Sequence, residues 1–371
     1  MVRMLTAGES HGPCLVAIVE GLPAGIPLDG ESLNRDLARR QVGYGRGGRM
    51  QVERDQVEIL SGVAAGRTTG APLALQVRNR DWANWRDREV PPWTVPRPGH
   101  ADWAGGRKYG LEDLRWVAER ASARETAARV AVGAVARALL SAVGIAVGSY
   151  VEAIGPARAD LAPGDWLARA QAAEASDVRC PDPRAAEAMR QAIEAAREAG
   201  ESLGGVFLVF AVGVPVGLGS YVQWDRRLDA RLAHALMSIP AIKGVEVGDA
   251  FANAARLGTE VHDAFIQDAD GRWRRATNRA GGLEGGVSNG EPIWVRAAMK
   301  PIPTTRKPLP SYDVRTGEPA PAPYHRADVC AVPAASGVGE AMCCWVLAEA
   351  LVERYGGDTL ARIQEGVERD R

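Results

Sequence analysis

Apolar positions along this chain fall into short runs broken by glycine and proline, and their period changes from one part to the next. Pro13 to Val19, Val57 to Val63, Ala71 to Val77, Ile145 to Ile154, Gly205 to Val214 and Pro292 to Met299 are short apolar runs that predict strands. Gly66 to Gly70 predicts a turn between two of them. Helical spacing appears in Asp29 to Arg40, with Asp29 as the cap, in Pro183 to Ala199, in Leu228 to Ile239 and from Gly337 onward. Strands come in pairs with helices placed irregularly between them. That order predicts an α+β fold rather than a doubly wound α/β sheet.

The stretch from Leu111 to Gly144 stands apart. It is Ala-rich, lacks proline and has no glycine between Gly110 and Gly133, so it predicts one long helix. Its small residues Ala118, Ala121, Ala127, Ala128, Ala131 and Ala134 occur almost all round, which suits close contact on several sides. Arg115, Glu119, Ser122, Thr126 and Arg129 then follow three- and four-residue steps along one face, with Arg120 and Arg124 beside them. Polar groups on a buried helix need partners. They form either a ladder of internal salt bridges, Glu125 to Arg129 being the obvious rung, or the wall of a site for an anionic ligand.

With 371 residues the chain is long enough for a sizeable core, as one large domain or two small ones. Its 46% hydrophobic and 25% charged residues are those of a globular protein, and a net charge of -1 argues against general binding to nucleic acid or membrane surfaces. The cations are nearly all arginine; the lysines are Lys108, Lys243, Lys300 and Lys307. Five scattered cysteines without C-x-x-C spacing point to a reducing compartment. Neither a signal sequence nor an apolar run approaching a membrane span is expected, so the expected location is cytoplasmic.

Candidate chemistry lies in the loops. Gly8-Glu-Ser-His-Gly12 satisfies G-x-S-x-G, but a nucleophile elbow needs a strand before the serine and a helix after it. Only seven residues precede this motif and a strand-like run follows, which argues against a serine hydrolase built on Ser10. His11, between turn glycines, is better placed as an acid or base. His100 lies in Arg97-Pro-Gly-His-Ala-Asp102, where His-x-Asp lacks a third metal ligand, so no metal is expected. His234 and His262 read as packing or surface histidines. Arg40, Arg46 and Arg49 flank Gly43-Tyr-Gly-Arg-Gly-Gly-Arg49, a loop able to hold phosphate oxygens though not a Walker motif. As an RNA-binding segment it is a single short copy in a near-neutral protein. Residues 79 to 110 carry four prolines and Trp82, Trp85, Trp93 and Trp103, and a connection that long without a pattern is usually functional or disordered. Its aromatics argue for order.

Gly8-Glu-Ser-His-Gly12, Gly43-Tyr-Gly-Arg-Gly-Gly-Arg49, Arg97-Pro-Gly-His100, Glu119-Arg-Ala-Ser-Ala-Arg-Glu-Thr-Ala-Ala-Arg129, Lys300-Pro-Ile-Pro-Thr304 and Arg326-Ala-Asp328 together resemble chorismate synthase, in that family's order. The resemblance implies a single domain over residues 1–371, with long helices between antiparallel sheets, and a homotetramer. It implies anti-1,4-elimination of phosphate from 5-enolpyruvylshikimate 3-phosphate, with reduced FMN that is not consumed. By the same resemblance His11, His100 and Asp328 are catalytic, the first acting on the flavin, the second on the departing phosphate, and Asp328 beside the flavin N5. The flavin is implied to lie along Arg120, Ala121, Ser122, Pro240, Ala241, Gly285, Lys300, Pro301, Ile302, Pro303, Thr304 and Arg326. Substrate or NADPH is implied at Ser10, Arg40, Arg46, Arg49, Arg107 and Arg124. Some members reduce flavin with NADPH themselves; with no extra domain visible, an external flavin reductase is the expected partner here. Ala327, Val329 and Pro240 depart from the family's usual residues.

Overall fold

The computed structural model describes residues 2–47, 54–161, 164–325 and 328–370. Arg3–Ala7 (β1) and Cys14–Glu20 (β2) pair as an antiparallel hairpin, with Arg3 opposite Glu20 and Ala7 opposite Val16. The sequence pattern did not mark β1, because its polar and apolar residues mix over only five positions and none is fully buried. Gly8 starts the connecting turn at φ +111°, and a Cβ there would stand 2.4 Å from the Cys14 carbonyl oxygen, so the hairpin requires glycine. Val57–Ser61 (β3) and Leu73–Arg78 (β4) complete a four-stranded sheet in the order β1-β2-β4-β3. Leu15, Ala17, Val19, Leu73, Leu75 and Val77 point from it into the core at the two-residue period of a half-buried sheet.

Ala146–Ile154 (β5), Ala157–Arg158 (β6), Gly205–Val212 (β7), Ile242–Val247 (β8) and Ile293–Met299 (β9) form the second sheet, antiparallel throughout, in the order β8-β9-β7-β5-β6. β5 and β7 are apolar almost without alternation because helices or loops cover both of their faces. The six predicted strands are all present, their ends trimmed or shifted by one or two residues.

The helices that matter for the site are Gly30–Gln41 (α1), Asp102–Tyr109 (α2), Arg115–Arg120 (α3), Thr126–Ala142 (α4), Pro183–Glu198 (α5), Leu228–Met237 (α6) and Val332–Tyr355 (α7). Asp29 caps α1 as expected, accepting from the Ser32 N–H at 2.7 Å. α4 lies on β2 and β4 of the first sheet and meets α7 on its other side; α7 in turn covers β5 and β7 of the second sheet. The result is α+β, two antiparallel sheets with helices between them.

Two expectations are corrected. Leu111 to Gly144 is not one helix: the chain leaves helical geometry at Ser122 (φ -63°, ψ 141°), passes through a single turn at Ala123–Glu125, and re-enters as α4. The Ser122 side chain accepts from the Arg124 N–H, offering the backbone a bond that competes with helix continuation. α7 begins five residues earlier than Gly337, with Pro333 in its first turn where the missing N–H costs nothing. Its most apolar window has mean hydropathy 1.4, enough by length and composition to cross a membrane, but 83% of that window is buried inside the protein. α7 is a core helix.

α4 and α7 approach so closely that a Cβ on Gly133 would lie 2.4 Å from Ala341 Cβ and 2.6 Å from Ala341 Cα. Replacing an interior helical glycine by alanine gains about 1 kcal/mol of propensity, whereas overpacking costs about 1–3 kcal/mol. Gly133→Ala is therefore predicted to lose stability in denaturant titration. A stabilised variant would mean that the two helices separate freely.

Candidate active site

The Gly8–Gly12 turn presents His11 toward α3. Glu119 takes hold of this residue twice, accepting from its backbone N–H at 2.6 Å and meeting Nδ1 at 2.7 Å. Trp85 lies against the imidazole, ring centroids 4.2 Å apart. Asn79 secures the turn from beneath by donating to the carbonyls of Glu9 and Gly12. Arg120 ties the end of α3 to β1 through the carbonyls of Thr6 and Gly8, both at 3.0 Å. Ser10 is only 4% exposed, and its Oγ accepts from Ser122 Oγ at 3.2 Å. A strand does precede Ser10, but a second antiparallel strand follows where an elbow needs a helix, so the hydrolase motif is a coincidence of spacing. The break at Ser122 also ends the single polar face read from the sequence. Glu119 turns to His11, Ser122 to Ser10, and Arg129 pairs with Glu125 at 2.8 Å as the one rung foreseen.

His100 is built differently. It ends a proline-rich turn just before α2, and Asp102 in the first turn of α2 meets its Nδ1 at 2.6 Å. The same carboxylate receives Arg97 through Nε at 2.7 Å and Nη2 at 3.0 Å. Burial opposes the charge on Asp102, but the hydrogen bonds from His100 and Arg97 outweigh it and hold the carboxyl far below the usual carboxylate range. Asp102 thus anchors a histidine and an arginine. Trp93 stacks on His325, centroids 4.2 Å apart, and Arg97 stands over the same indole. Lys300 donates to the Gly99 carbonyl at 2.5 Å, joining the end of β9 to the His100 turn.

The arginines are not all in one place. Arg40 and Arg124, 4% and 5% exposed, share the buried carboxylate of Asp55 at 2.7 and 2.5 Å. Burial works against the charge of Asp55, and the two guanidiniums prevail and keep it ionised. Arg46 pairs with Asp328 at 2.5 Å, and the Gly47 N–H reaches the other oxygen of that carboxylate at 2.6 Å. Arg46, Asp328, Thr304, Arg306 and Tyr324 line one cavity of about 420 Å³. Arg107 is exposed on α2. Arg49, Arg326 and Ala327 lie outside the described residues.

Of the positions implied for flavin, Ala241 and Lys300, the first residue of the 300–304 segment, do meet. Ala241 sits at φ +69°, and its carbonyl accepts from the Lys300 N–H at 2.9 Å. Ile302 accepts from Ser202 Oγ at 2.7 Å, and Thr304 is buried. Gly285 is not with them. The Gly286 carbonyl bonds the Leu228 N–H at the start of α6, whereas Pro240 follows its end, a helix length of roughly 15 Å away. His234 and His262 are exposed surface histidines. Among the described residues, no group of three or more His, Cys, Asp or Glu is placed to hold a metal ion.

A family model described as chorismate synthase matches residues 2–352 of this chain. The chorismate synthase of Moorella thermoacetica is 57% identical over 98% of this chain and 97% of its own length, and that of Desulforamulus reducens 54% over 98% and 97%. A solved structure entitled "Crystal Structure of Chorismate Synthase" superposes with a TM-score of 0.81 at 45% identity, covering 99% of this chain and 96% of its own. The chain belongs to the chorismate synthase family. It is accordingly a carbon–oxygen lyase.

For a member of this family the geometry separates residues the sequence named from residues it did not. Asp55, Asn79 and His325 were not singled out, Trp85 and Trp93 were named only as aromatics that order a long connection, and Asp102 was considered only as half of a metal site. Apart from Asp102, whose partners are close by in the chain, these residues work through partners far away in sequence, as Trp85 does with His11 and Trp93 with His325. Asp55 alone carried a local hint, as an acid a few residues beyond an arginine-rich loop.

Asp102 yields a pH prediction. A carboxyl held low in the folded protein contributes stability that is present above its unfolded value near 3.9 and is lost as pH falls through the folded value. Asp102→Asn should cost about 3 kcal/mol at neutral pH by leaving Arg97 without its carboxylate. Denaturant titrations should find that gap shrinking below about pH 4. A gap that stays constant into strong acid would assign the loss to shape rather than charge.

Proposed function

We propose that this protein converts 5-enolpyruvylshikimate 3-phosphate to chorismate and phosphate by anti-1,4-elimination, with FMN in its reduced form as cofactor. Residues 1–371 act as one domain in this reading. The whole-length family match carries it, and two histidines each held at Nδ1 by a buried carboxylate support it. Those carboxylates fix the orientation of both rings; in this reading His100 acts on the departing phosphate and His11 on the flavin. Lys300 fits a mononucleotide phosphate. Burial and the neighbouring charge of Lys243 both depress its proton affinity, and an anion between two such ammonium groups relieves that repulsion.

When bound, reduced FMN supplies electron density that assists expulsion of phosphate. Pro240, Ala241 and the Lys300–Thr304 segment would hold it, with Arg120, Ala121 and Ser122 at the helix break; Gly285 would need to reach it from elsewhere, and Arg326 joins the set by the family resemblance alone. Arg46 and Arg107 would contact substrate anions together with Arg49. Arg40 and Arg124, locked on Asp55, would act as a fixed positive wall behind that contact. Asp328 becomes available for proton transfer beside the flavin once Arg46 exchanges it for a substrate anion.

Exposed Tyr221, Trp224, Phe251, Phe265 and Trp273 offer apolar surface that a homotetramer would cover. A cytoplasmic enzyme supplied by a separate flavin reductase completes the proposal, so NADPH with oxidised FMN should not sustain turnover unaided. The rival reading as an RNA-binding protein is weakened, because Arg40 is buried on Asp55 and Arg46 is paired with Asp328.

The deciding assay is anaerobic incubation with dithionite-reduced FMN and the enolpyruvyl ester, followed as chorismate absorbance. His11→Ala and His100→Ala should each lower turnover by about 10²- to 10⁴-fold, the usual worth of a positioned acid or base, while retaining the fold. Failure of the unaltered protein to form chorismate would reject the activity. Full turnover in either variant would remove that histidine from the chemistry.

A further inference from the structure

Three of the five histidines gather around one place, and only two of them have carboxylate partners. The third, His325, has instead the flat face of Trp93, with ring planes 20° apart. Its Nε2 is buried and meets no hydrogen-bonding partner among the described residues. A core histidine kept only for its shape would be expected to satisfy that nitrogen. The charged and titratable groups acting on the ring are Arg97, Asp102, His100 and His11, which are the groups around the two implied catalytic histidines. Burial and then the Arg97 charge hold His325 neutral at ordinary pH, below its usual range. A half-turn about its Cβ–Cγ bond would exchange the edges of the imidazole without leaving the Trp93 stack, since that torsion is broad and two-fold.

We propose that His325 is a third imidazole of the ligand site, contacting an anionic group of the substrate from the Trp93 stack and taking a proton from solvent as that group arrives. This inference rests on the chorismate synthase reading, which places a phosphorylated dicarboxylate beside His100. The chemistry is that of Arg97 and His325 on one indole: a permanent cation and a conditional one. An arriving anion offsets the Arg97 repulsion and raises the proton affinity of the ring. Uptake is therefore largest between the proton affinities of the free and bound forms. It vanishes in acid, where the free ring is already charged, and in alkali, where the bound ring is not.

The test is calorimetric titration of the FMN-loaded protein with the enolpyruvyl ester at about pH 7, in two buffers of different ionisation enthalpy. The unaltered protein should take up protons on binding. His325→Phe keeps an aromatic ring on Trp93 and removes the basic nitrogens. It should bind about 10-fold more weakly and lose the uptake, with an unchanged melting temperature. If the phenylalanine variant does not fold, His325→Gln gives the same readout. Unchanged affinity and uptake in the variant, or no uptake by the unaltered protein, overturns the inference while leaving the family activity standing. A protein that neither binds nor converts the ester removes both.

Discussion

A charge taken into a protein's interior has to meet its opposite there, because several kcal/mol of desolvation per ion are otherwise uncompensated. This chain takes in many arginines and meets them with a few well-placed carboxylates. Glu340, in the middle of α7 and 1% exposed, receives Arg39 from α1, Arg137 from α4 and the Ser149 hydroxyl from β5. Burial works against its charge, yet the guanidiniums around it hold its proton affinity far below that of a free glutamate. One carboxylate thereby ties together three helices and a strand of the second sheet. Hydrophobic contact gives α4 and α7 their closeness, but it is indifferent to small slides along the helix axis. The Glu340 contacts fix that register.

The same rule builds the candidate site, with carboxylates set to hold functional side chains rather than helices. Asp55 fixes Arg40 and Arg124, Glu119 fixes His11, and Asp102 fixes His100 with Arg97. None of these three carboxylates is more than 7% exposed. An acid or base oriented this way has lost its freedom before any ligand arrives, which is how positioning lowers a barrier. The two histidine anchors differ in kind. Glu119 grips both the ring and the backbone of His11, so that residue is fixed as a whole, whereas Asp102 divides its oxygens between a ring and a guanidinium.

Much of the fold was legible because it is local. Apolar runs marked strands, and Asp29 and Pro183 marked helix starts, each through chemistry within four residues. The broken central helix was missed although its signal is in the sequence. Ser122-Ala-Arg-Glu125 is a serine followed three residues later by an acid, the pattern of a helix start, here embedded in an Ala-rich stretch whose propensity favoured continuing. The cap won because the chain has to change direction so that Glu119 faces His11 while α4 enters the core. The resemblance named the site's histidines and arginines. It did not supply their pairings, since Asp55, Trp93 and His325 become partners only through the fold.

Arg46 and Asp328 carry this reasoning one step further. Arg40 and Arg124 are sealed on Asp55, so they hold their charge whatever fills the site. Arg46 and Asp328 stand at the wall of a cavity, each half-buried, in a pair that an incoming anion can enter by competing for the guanidinium. A sealed pair gives a constant field; an open pair gives a field that depends on the ligand. With both kinds beside one another, an anion entering the cavity would meet the outer pair first and would leave the sealed one in place. The Asp328 carboxylate is then the group whose surroundings change most on binding. Under the proposed reaction, in which Asp328 would move a proton, that change would help, because the substrate itself would draw away its cation partner.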